Sequence, residues 1–221
     1  MRKIYVIGIG AGNPDFVTMQ AIKALNLVQV VFLADKGEAK QDLVQLRKEI
    51  CERYIKDPSY RIVEATDSVR DPSIEDYKMR VDAWHHQRAI SYEQMIGAEL
   101  QQDQAGAFLV WGDPSLYDST LRILDHVKAR GQVEFDVEVI PGITSMQAMA
   151  ASYKISLTGI GESLLVTTGR QLSTGSVQAE HRTVVMLDGQ CTFLSKVGEG
   201  LDIYWTEYAG CLLYTSDAAD E

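Results

Sequence analysis

Short apolar segments alternate with helical patterns over residues 1–153, and no other feature of the sequence limits the possible folds as strongly. The apolar segments are rich in β-branched and aromatic residues and are bounded by Gly, Asp or Pro, which is typical of buried strands. Five such strands are predicted, at Lys3–Ile9, Gln29–Leu33, Tyr60–Glu64, Gly106–Trp111 and Phe135–Ile140. Strands that alternate with helices predict a parallel α/β sheet, and such sheets bind ligands at the carboxyl ends of their strands.

Between these strands, apolar residues recur at helical spacing. One face of the first helix is apolar, and the hydroxyl of Thr18 can cap this helix. The residues of that face are Ala21, Ile22, Leu25 and Val28. Further helices are predicted at Asp42–Ile55, Ile74–Gln101, Leu116–Lys128 and Ser145–Tyr153. Gly131 stands just past the end of one of them, where a glycine commonly stops a helix.

The pattern changes near residue 155, where polar loops begin to separate the strand-like segments. Three further strands are predicted there, at Ser163–Thr167, Thr183–Leu187 and Asp202–Glu207. We therefore predict two α/β domains, an N-terminal domain over 1–154 and a smaller C-terminal domain over 155–210. Residues 211–221 show neither the helical nor the strand spacing of apolar residues, and they resemble translated adapter sequence. We therefore expect a non-native tail and a truncated C-terminal domain.

The composition argues against several classes of function. The net charge of −10 and the pI near 4.9 argue against nucleic acid or a membrane as a partner, although a local basic patch could still bind a small anion. No apolar run reaches the roughly 18 residues that cross a bilayer. Met1-Arg2-Lys3 runs straight into the first predicted strand, unlike a signal peptide. We therefore expect a cytoplasmic protein.

The cysteines indicate neither a disulfide framework nor a metal centre. Cys51, Cys191 and Cys211 are widely spaced and include no C-x-x-C pair. This spacing argues against a zinc site, so no metal is expected. Packing in the core is the expected role of Cys51 and Cys191.

A glycine-rich loop, Gly8–Thr18 (GIGAGNPDFVT), follows the first predicted strand. Glycines here allow a tight turn or the close approach of a ligand, and a dinucleotide-binding loop with Asp35 as the ribose-binding acid is one alternative. Three details oppose it: the third glycine comes one residue early, the cap at Thr18 starts the helix well beyond the glycines, and Asp15 adds a negative charge. A purely structural turn is a second alternative. We prefer a loop for a different ligand.

Two more turns follow the fourth and fifth predicted strands, where a parallel sheet presents its ligands. Trp111–Tyr117 (WGDPSLY) closes the fourth strand, and its Asp113 can alternatively be a simple cap of the next helix. Pro141–Ala148 (PGITSMQA) closes the fifth strand. Thr144 or Ser145 can cap the helix that follows or bind a ligand carboxylate.

In this order and spacing, the three segments and Asp35 resemble the tetrapyrrole (corrin/porphyrin) methylase family, and the resemblance extends to about residue 210. Residues 34–37, 81–86 and 107–120 are most similar to the members that methylate C-1 of precorrin-5 and expel the C-20 acetyl group as acetate. The resemblance implies two α/β domains with a cleft between them and S-adenosylmethionine as the cofactor. It also implies precorrin-5 as the substrate, in the cobalamin pathway, and a homodimer.

The resemblance further implies which residues serve each role. Asp35 matches an aspartate that relatives use as a proton acceptor, and Tyr117 is a candidate for delivering the water that removes the acetyl group. The implied cofactor contacts are Trp111, Gly112, Asp113, Leu116, Thr144, Ser145 and Asp188. The implied tetrapyrrole contacts are Gly10, Gly12, Asp15 and Thr18, with Lys36 and Arg88 as cations for the substrate carboxylates.

Several alternatives stay open. The family usually shows a Met-Gly pair where this chain has Leu187-Asp188-Gly189, which leaves that side-chain contact undecided. Lys36 and Arg88 are equally compatible with ordinary surface charge, and His85 and His86, two further candidates for water delivery, with a solvated helix face. For the whole protein, the alternatives are another precorrin methyltransferase, a non-catalytic tetrapyrrole-binding protein and an NAD-dependent oxidoreductase.

Overall fold

The computed structural model describes residues 1–35, 41–66, 71–175, 182–207 and 209. The side chains of residues 34, 35, 41, 42, 65 and 66 are outside this description. The chain packs as two compact units, Met1–Thr144 and Ser145–Glu221. The predicted boundary lies at residue 155, whereas this division assigns the helix at Ser145–Tyr153 to the second unit.

The first unit is built on a five-stranded parallel sheet. Its strands are β1 (Arg2–Gly8), β2 (Val30–Asp35), β3 (Arg61–Thr66), β4 (Ala105–Val110) and β5 (Phe135–Ile140). They are arranged in the order β3-β2-β4-β1-β5, and each neighbouring pair is parallel. The predicted parallel α/β sheet is therefore confirmed.

Two helices cover each face of this sheet. They are α1 (Met19–Leu25), α2 (Gln41–Tyr54), α3 (Tyr77–Glu99) and α4 (Thr120–Arg130). The first two crossovers run toward the β3 edge and the last two toward the β5 edge. Because such crossovers are right-handed, α1 and α2 lie on one face and α3 and α4 on the other. Leu25 and Ile50 belong to the core of the first face, and Ile96 and Leu124 to the core of the second.

Local side-chain bonds and left-handed backbone conformations decide where the helices begin and end. The hydroxyl of Thr18 accepts a hydrogen bond from the Ala21 N–H (3.1 Å), which confirms the predicted cap of α1. Gly131 has a φ of +68° and ends α4, also as predicted. The predicted start of α4 at residue 116 was wrong, because Tyr117 has a φ of +54° and interrupts the helical path. The helix begins only after Asp118, whose carboxylate accepts a bond from the Thr120 N–H (2.6 Å).

The strand order places a crevice at the carboxyl ends of β1 and β4. These strands are neighbours, yet β1 leads to α1 on one face and β4 leads to α4 on the other. Ligands of open α/β sheets bind where connections diverge in this way. The order also differs from the 3-2-1-4-5 order that is typical of dinucleotide-binding sheets, since β1 pairs with β4 and not with β2.

The second unit is smaller. Its elements are α5 (Ser145–Tyr153), β6 (Leu164–Thr168), α6 (Gly169–Ser173), β7 (Arg182–Met186) and a 3-10 helix at Thr192–Lys196. β6 and β7 lie at two of the three strands predicted there, and they form a parallel pair. The strand predicted at Asp202–Glu207 was wrong, because this segment is irregular. Its aromatic side chains pack on other rings instead, with Tyr204 edge-on to Tyr153 and Trp205 beside Phe193.

Two further expectations bear on the chain as a whole. Residues 211–221 lie outside the described residues, so the non-native tail stays a prediction. Within the described ranges, no helix is both long and apolar enough to cross a membrane.

Candidate functional site

Three glycines bring the carboxyl ends of β1, β4 and β5 into direct main-chain contact. A Cβ atom at Gly8 would lie 2.6 Å from the Gly142 nitrogen and 2.7 Å from the Gly112 oxygen. A Cβ at Gly142 would overlap the same Gly112 oxygen. Such distances leave no room for a side chain at Gly8 or Gly142, while at Gly112 a left-handed backbone favours glycine. The three turns identified in the sequence therefore meet at one edge of the sheet.

The glycine-rich loop is also hydrogen-bonded to the turn after β4. The Gly112 N–H donates to the Gly10 carbonyl (2.8 Å), and the Gly10 N–H donates back to the Gly112 carbonyl (3.4 Å). The two residues form an isolated antiparallel bridge, with φ values of +83° at Gly10 and +67° at Gly112. Non-glycine residues rarely adopt such angles. The glycine-containing part of the loop therefore lies across the end of β4.

Asp113 ties the turn after β4 to the turn after β5. One carboxylate oxygen accepts a hydrogen bond from the Gly142 N–H (2.9 Å). The other accepts from the Ser115 N–H (2.8 Å) and from the Ser115 hydroxyl. Burial raises the pKa of this carboxyl, but the three hydrogen bonds outweigh it, and the pKa lies below its usual value. Asp113 therefore joins two turns and is not a cap of α4, while its cofactor contact stays a prediction.

Asp113→Asn is expected to lower the free energy of unfolding by about 1–3 kcal/mol at pH 7, because an amide cannot accept all three bonds. The folded pKa is depressed, so the carboxylate's contribution is complete above the unfolded pKa of about 3.9 and is lost as the pH falls through the folded value. Urea unfolding at pH 7 and at about pH 3 should therefore show a difference that shrinks in acid.

Asp71→Asn is the matched control for this change. Asp71 makes the same local bonds, to the N–H and the hydroxyl of Ser73, in an identical Asp-Pro-Ser sequence. The structure shows no bond from Asp71 to a second turn among the described residues. We expect a clearly smaller loss of stability. Equal losses in the two variants would contradict the joining role of Asp113.

The remaining candidates of the first unit lie around this junction. Tyr117 combines a left-handed backbone with a side chain that is 42% exposed, and strained non-glycine residues of this kind cluster at functional sites. Leu116 closes the turn by donating its N–H to the Asp113 carbonyl (3.2 Å). Trp111 packs against the core of the α1 and α2 face, and Thr144 is buried. The structure therefore brings these positions together, and their individual roles stay predictions.

Two polar residues of the glycine-rich loop have partners within the protein. The Asp15 carboxylate forms an exposed ion pair with Arg53 (2.6 Å), and the Thr18 hydroxyl caps α1. Gly12 has a φ of +123° and needs the freedom of glycine. Contact of these residues with a tetrapyrrole stays a prediction.

In the second unit, Asp188 caps the 3-10 helix at Thr192–Lys196. One carboxylate oxygen accepts from the N–H (2.9 Å) and the hydroxyl (2.7 Å) of Thr192, and the other from the Phe193 N–H (3.1 Å). Burial raises the pKa of Asp188, and these bonds outweigh it, so the pKa is lowered. Leu187 is 72% exposed with a φ of +54°, so it occupies a conformation that favours glycine. The cofactor contacts of Asp188 and Ser145 stay predictions.

Arg88 is a buried cation. It is 6% exposed, donates to the Tyr92 hydroxyl (2.8 Å) and lies over the ring of Trp84. The alternative of ordinary surface charge is therefore wrong for Arg88. Its role toward the substrate stays a prediction.

The two adjacent histidines have different surroundings. His86 is exposed, which fits the alternative of a solvated face. That alternative was wrong for His85, which is 6% exposed, and its Nε2 has no hydrogen-bond partner in the described part of the chain. Burial lowers the pKa of His85, and the neighbouring Arg122 and His126 lower it further. A neutral, buried ring between α3 and α4 is poorly placed to deliver water.

One of the predicted site residues, Asp35, is the last residue of β2. The backbone of Asp35 pairs with Thr66 at the same carboxyl edge as the three turns, but its side chain lies outside the description, as does Lys36.

A shallow depression at the amino end of β3 lies at the opposite edge and carries no part of this site. It is lined by Glu52, Ile55, Pro58, Tyr60 and Ile62. No group of His, Cys, Asp and Glu that could hold a metal occurs among the described residues.

One cation at this edge, Arg47, was not among the predicted site residues. Its Nε donates to the Leu109 carbonyl (3.1 Å) and its Nη1 to the Leu43 carbonyl (2.9 Å). A signal was present, because Leu43 and Ile50 share its face of α2, and an arginine within an apolar stripe usually has a specific partner.

Comparison with known proteins decides the family. The tetrapyrrole (corrin/porphyrin) methylases match residues 3–212. The chain belongs to the tetrapyrrole methylase family. The predicted family is thus confirmed, and the strand order differs from the typical order of dinucleotide-binding sheets.

The relatives of this methylase include two precorrin enzymes and a solved cobalamin synthesis related protein. It is 47% identical over 210 residues to precorrin-6A synthase [deacetylating] of Sinorhizobium sp, covering 95% of this chain and 80% of the relative. It is 26% identical to cobalt-precorrin-4 C(11)-methyltransferase of Priestia megaterium, covering 93% and 70%. Among solved structures, a cobalamin synthesis related protein (CobF) of Corynebacterium diphtheriae has a TM-score of 0.74 and 41% identity, covering 88% of this chain and 76% of that one.

Proposed function

We propose that this protein is an S-adenosylmethionine-dependent methyltransferase of cobalamin biosynthesis that converts precorrin-5 to precorrin-6A. The observation that carries the proposal is the 47% identity to precorrin-6A synthase [deacetylating] across 95% of the chain. In the proposed reaction, C-1 of precorrin-5 gains the methyl group and the cofactor leaves as S-adenosylhomocysteine. Water attacks the carbonyl of the C-20 acetyl group, which is cleaved from the macrocycle and leaves as acetate.

The turns after β4 and β5 fit the proposed cofactor. At Gly112 the nearest atom to an added Cβ is the Thr144 Cα, at 3.8 Å, so a ligand can approach the main chain there. Trp111 and Leu116 offer apolar surface beside it. When bound, the cofactor supplies a methyl group that is already electrophilic, so these residues need mainly to align it with the ring carbon. Ser145 and Asp188 of the second unit are proposed as further contacts.

The remaining roles concern the substrate. Asp35, at the end of β2, is proposed as the acceptor of the proton that the methylated macrocycle loses. Tyr117 is proposed to hold the water that attacks the acetyl carbonyl. Lys36 and Arg88 are proposed to bind carboxylate arms. The residues proposed to border the macrocycle are Gly10, Gly12, Asp15 and Thr18.

Product analysis tests this function directly. We expect precorrin-5 and S-adenosylmethionine to give, by mass spectrometry, a product with one methyl group more and the acetyl group lost, with one acetate released per turnover. Calorimetry should show binding of S-adenosylhomocysteine and none of NADH. A methylated product that keeps its acetyl group would instead indicate another methyltransferase of the pathway. Binding of precorrin-5 without turnover would indicate a non-catalytic tetrapyrrole-binding protein.

We also propose that the enzyme works as a homodimer in the cytoplasm. The support is the family resemblance alone. Sedimentation equilibrium at micromolar concentration tests the oligomeric state, and a monomer there would contradict this part of the proposal.

A further inference from the structure

The central sheet splits at its carboxyl edge between β2 and β4. Pairing between these strands ends at Phe32↔Phe108, whereas β2 stays paired with β3 as far as Asp35↔Thr66. On the other side, β4 stays paired with β1 as far as Gly8↔Val110. The last residues of β2 and β4 therefore diverge, and the split opens beside the strand that ends in Asp35.

Arg47 enters this split. The Ala105 carbonyl accepts from the Gln29 N–H (2.9 Å), so odd-numbered carbonyls of β4 face β2. Leu109 has the same parity, and its carbonyl faces the position where β2 has departed. The Arg47 Nε–H takes the place of the missing strand donor there. Its Nη1 is held by the Leu43 carbonyl of the same helix, so two main-chain oxygens fix the guanidinium.

Residues from the opposite face of the sheet also lie near the split. Tyr92, from α3 on the opposite face, stacks on Phe108 with ring centroids 4.5 Å apart and accepts a bond from Arg88. Burial lowers the pKa of Arg47, and Asp118 and Tyr92 raise it in part. Arg47 has further N–H donors than the two that are bonded, and within the described residues these have no partner.

We propose that the split between β2 and β4 is a carboxylate-binding subsite, in which the anchored Arg47 guanidinium receives one carboxylate arm of the substrate. The proposal rests on the proposed function, since precorrin-5 supplies the carboxylates. A guanidinium fixed by main-chain carbonyls is pre-organised, so it loses little side-chain freedom on binding. A carboxylate held there would align the macrocycle against the end of β2.

Binding of a stable macrocycle tests the subsite separately from catalysis. Uroporphyrin III carries only carboxylate arms, and its binding can be followed by fluorescence. We expect Arg47→Met to weaken the binding of uroporphyrin III, and to raise the KM for precorrin-5, by about tenfold to a hundredfold, with a smaller change in kcat. Arg47→Lys keeps the charge but cannot make the paired bonds, so its affinity for uroporphyrin III should fall by at least about threefold.

The control is Arg61→Met, which removes an arginine at the amino edge of β3, where it pairs with Glu99. The affinity of the Arg61→Met protein for uroporphyrin III should change by less than about twofold, because a surface ion pair contributes little. A folded Arg47→Met protein with unchanged binding, or with a lower kcat at unchanged KM and unchanged binding, would overturn the subsite. If Arg47→Met does not fold, Arg47→Lys decides by the same criterion. Wild-type protein that binds uroporphyrin III through Arg47 but does not convert precorrin-5 contradicts only the proposed function.

Discussion

Replacing Asp35 by Asn is expected to lower kcat by about a hundredfold to ten-thousandfold, the range typical of a lost general acid or base. The dissociation constant of S-adenosylhomocysteine should stay nearly unchanged, because Asp35 ends β2 whereas the proposed cofactor turns follow β4 and β5. A residue that acts only in the transition state affects turnover without affecting ground-state binding. Single-turnover assays with precorrin-5, paired with calorimetry, measure the two quantities separately.

Asp57→Asn is a suitable control for this experiment. Asp57 is exposed, lies before β3 at the opposite edge of the sheet, and among the described residues bonds only to its near neighbour Ser59. Its replacement should leave kcat within about twofold of wild type, the usual range for surface changes away from a site. An unchanged kcat in Asp35→Asn would remove Asp35 from the reaction.

Gly142→Ala is expected to lower the free energy of unfolding by about 3 kcal/mol or more, at the upper end of overpacking effects. The new Cβ would overlap the Gly112 carbonyl and lie 2.9 Å from the Gly8 Cα, and main-chain atoms cannot rotate away. The turns after β4 and β5 must then separate. Binding of S-adenosylhomocysteine should be lost with them, which thermal unfolding and calorimetry can measure together.

Gly97→Ala supplies the contrast. Gly97 lies within α3, and an added Cβ would meet only a methyl group of Val133, at 3.3 Å. A side-chain methyl can shift, and alanine favours a helix over glycine by up to about 1 kcal/mol. We expect a change in stability of less than about 1 kcal/mol. A Gly142→Ala protein as stable as Gly97→Ala would show that the three glycines are not in close contact.

Local structure followed closely from the sequence. The strand predicted at Phe135–Ile140 and the helix predicted at Ser145–Tyr153 have the observed bounds. The cap at Thr18 and the stop at Gly131 were also predicted. These features depend on side-chain period and on bonds between residues a few positions apart, which a short window of sequence contains.

Where a prediction from the local sequence was wrong, the cause was a contact with residues far away along the chain. Asp202–Glu207 has the composition of a strand, but its aromatic rings pack on Tyr153 and Phe193 and no ladder forms. His85 and His86 are neighbours in sequence, yet only the first faces α4 and is buried. Whether a segment forms a strand or a side chain is buried depends on which surfaces pack together, and secondary-structure propensity does not contain that information.

The sequence by itself determined the five strands of the first unit, the three glycine-containing turns and the family of this protein. Only the tertiary structure decided that β4 lies between β2 and β1, which brings Gly8, Gly112 and Gly142 into contact and leaves a split for Arg47. Strand order is chosen by the packing of whole helices on a sheet, through contacts between residues far apart along the chain. Because no local period encodes those contacts, Arg47 and the joining role of Asp113 became visible only in the fold.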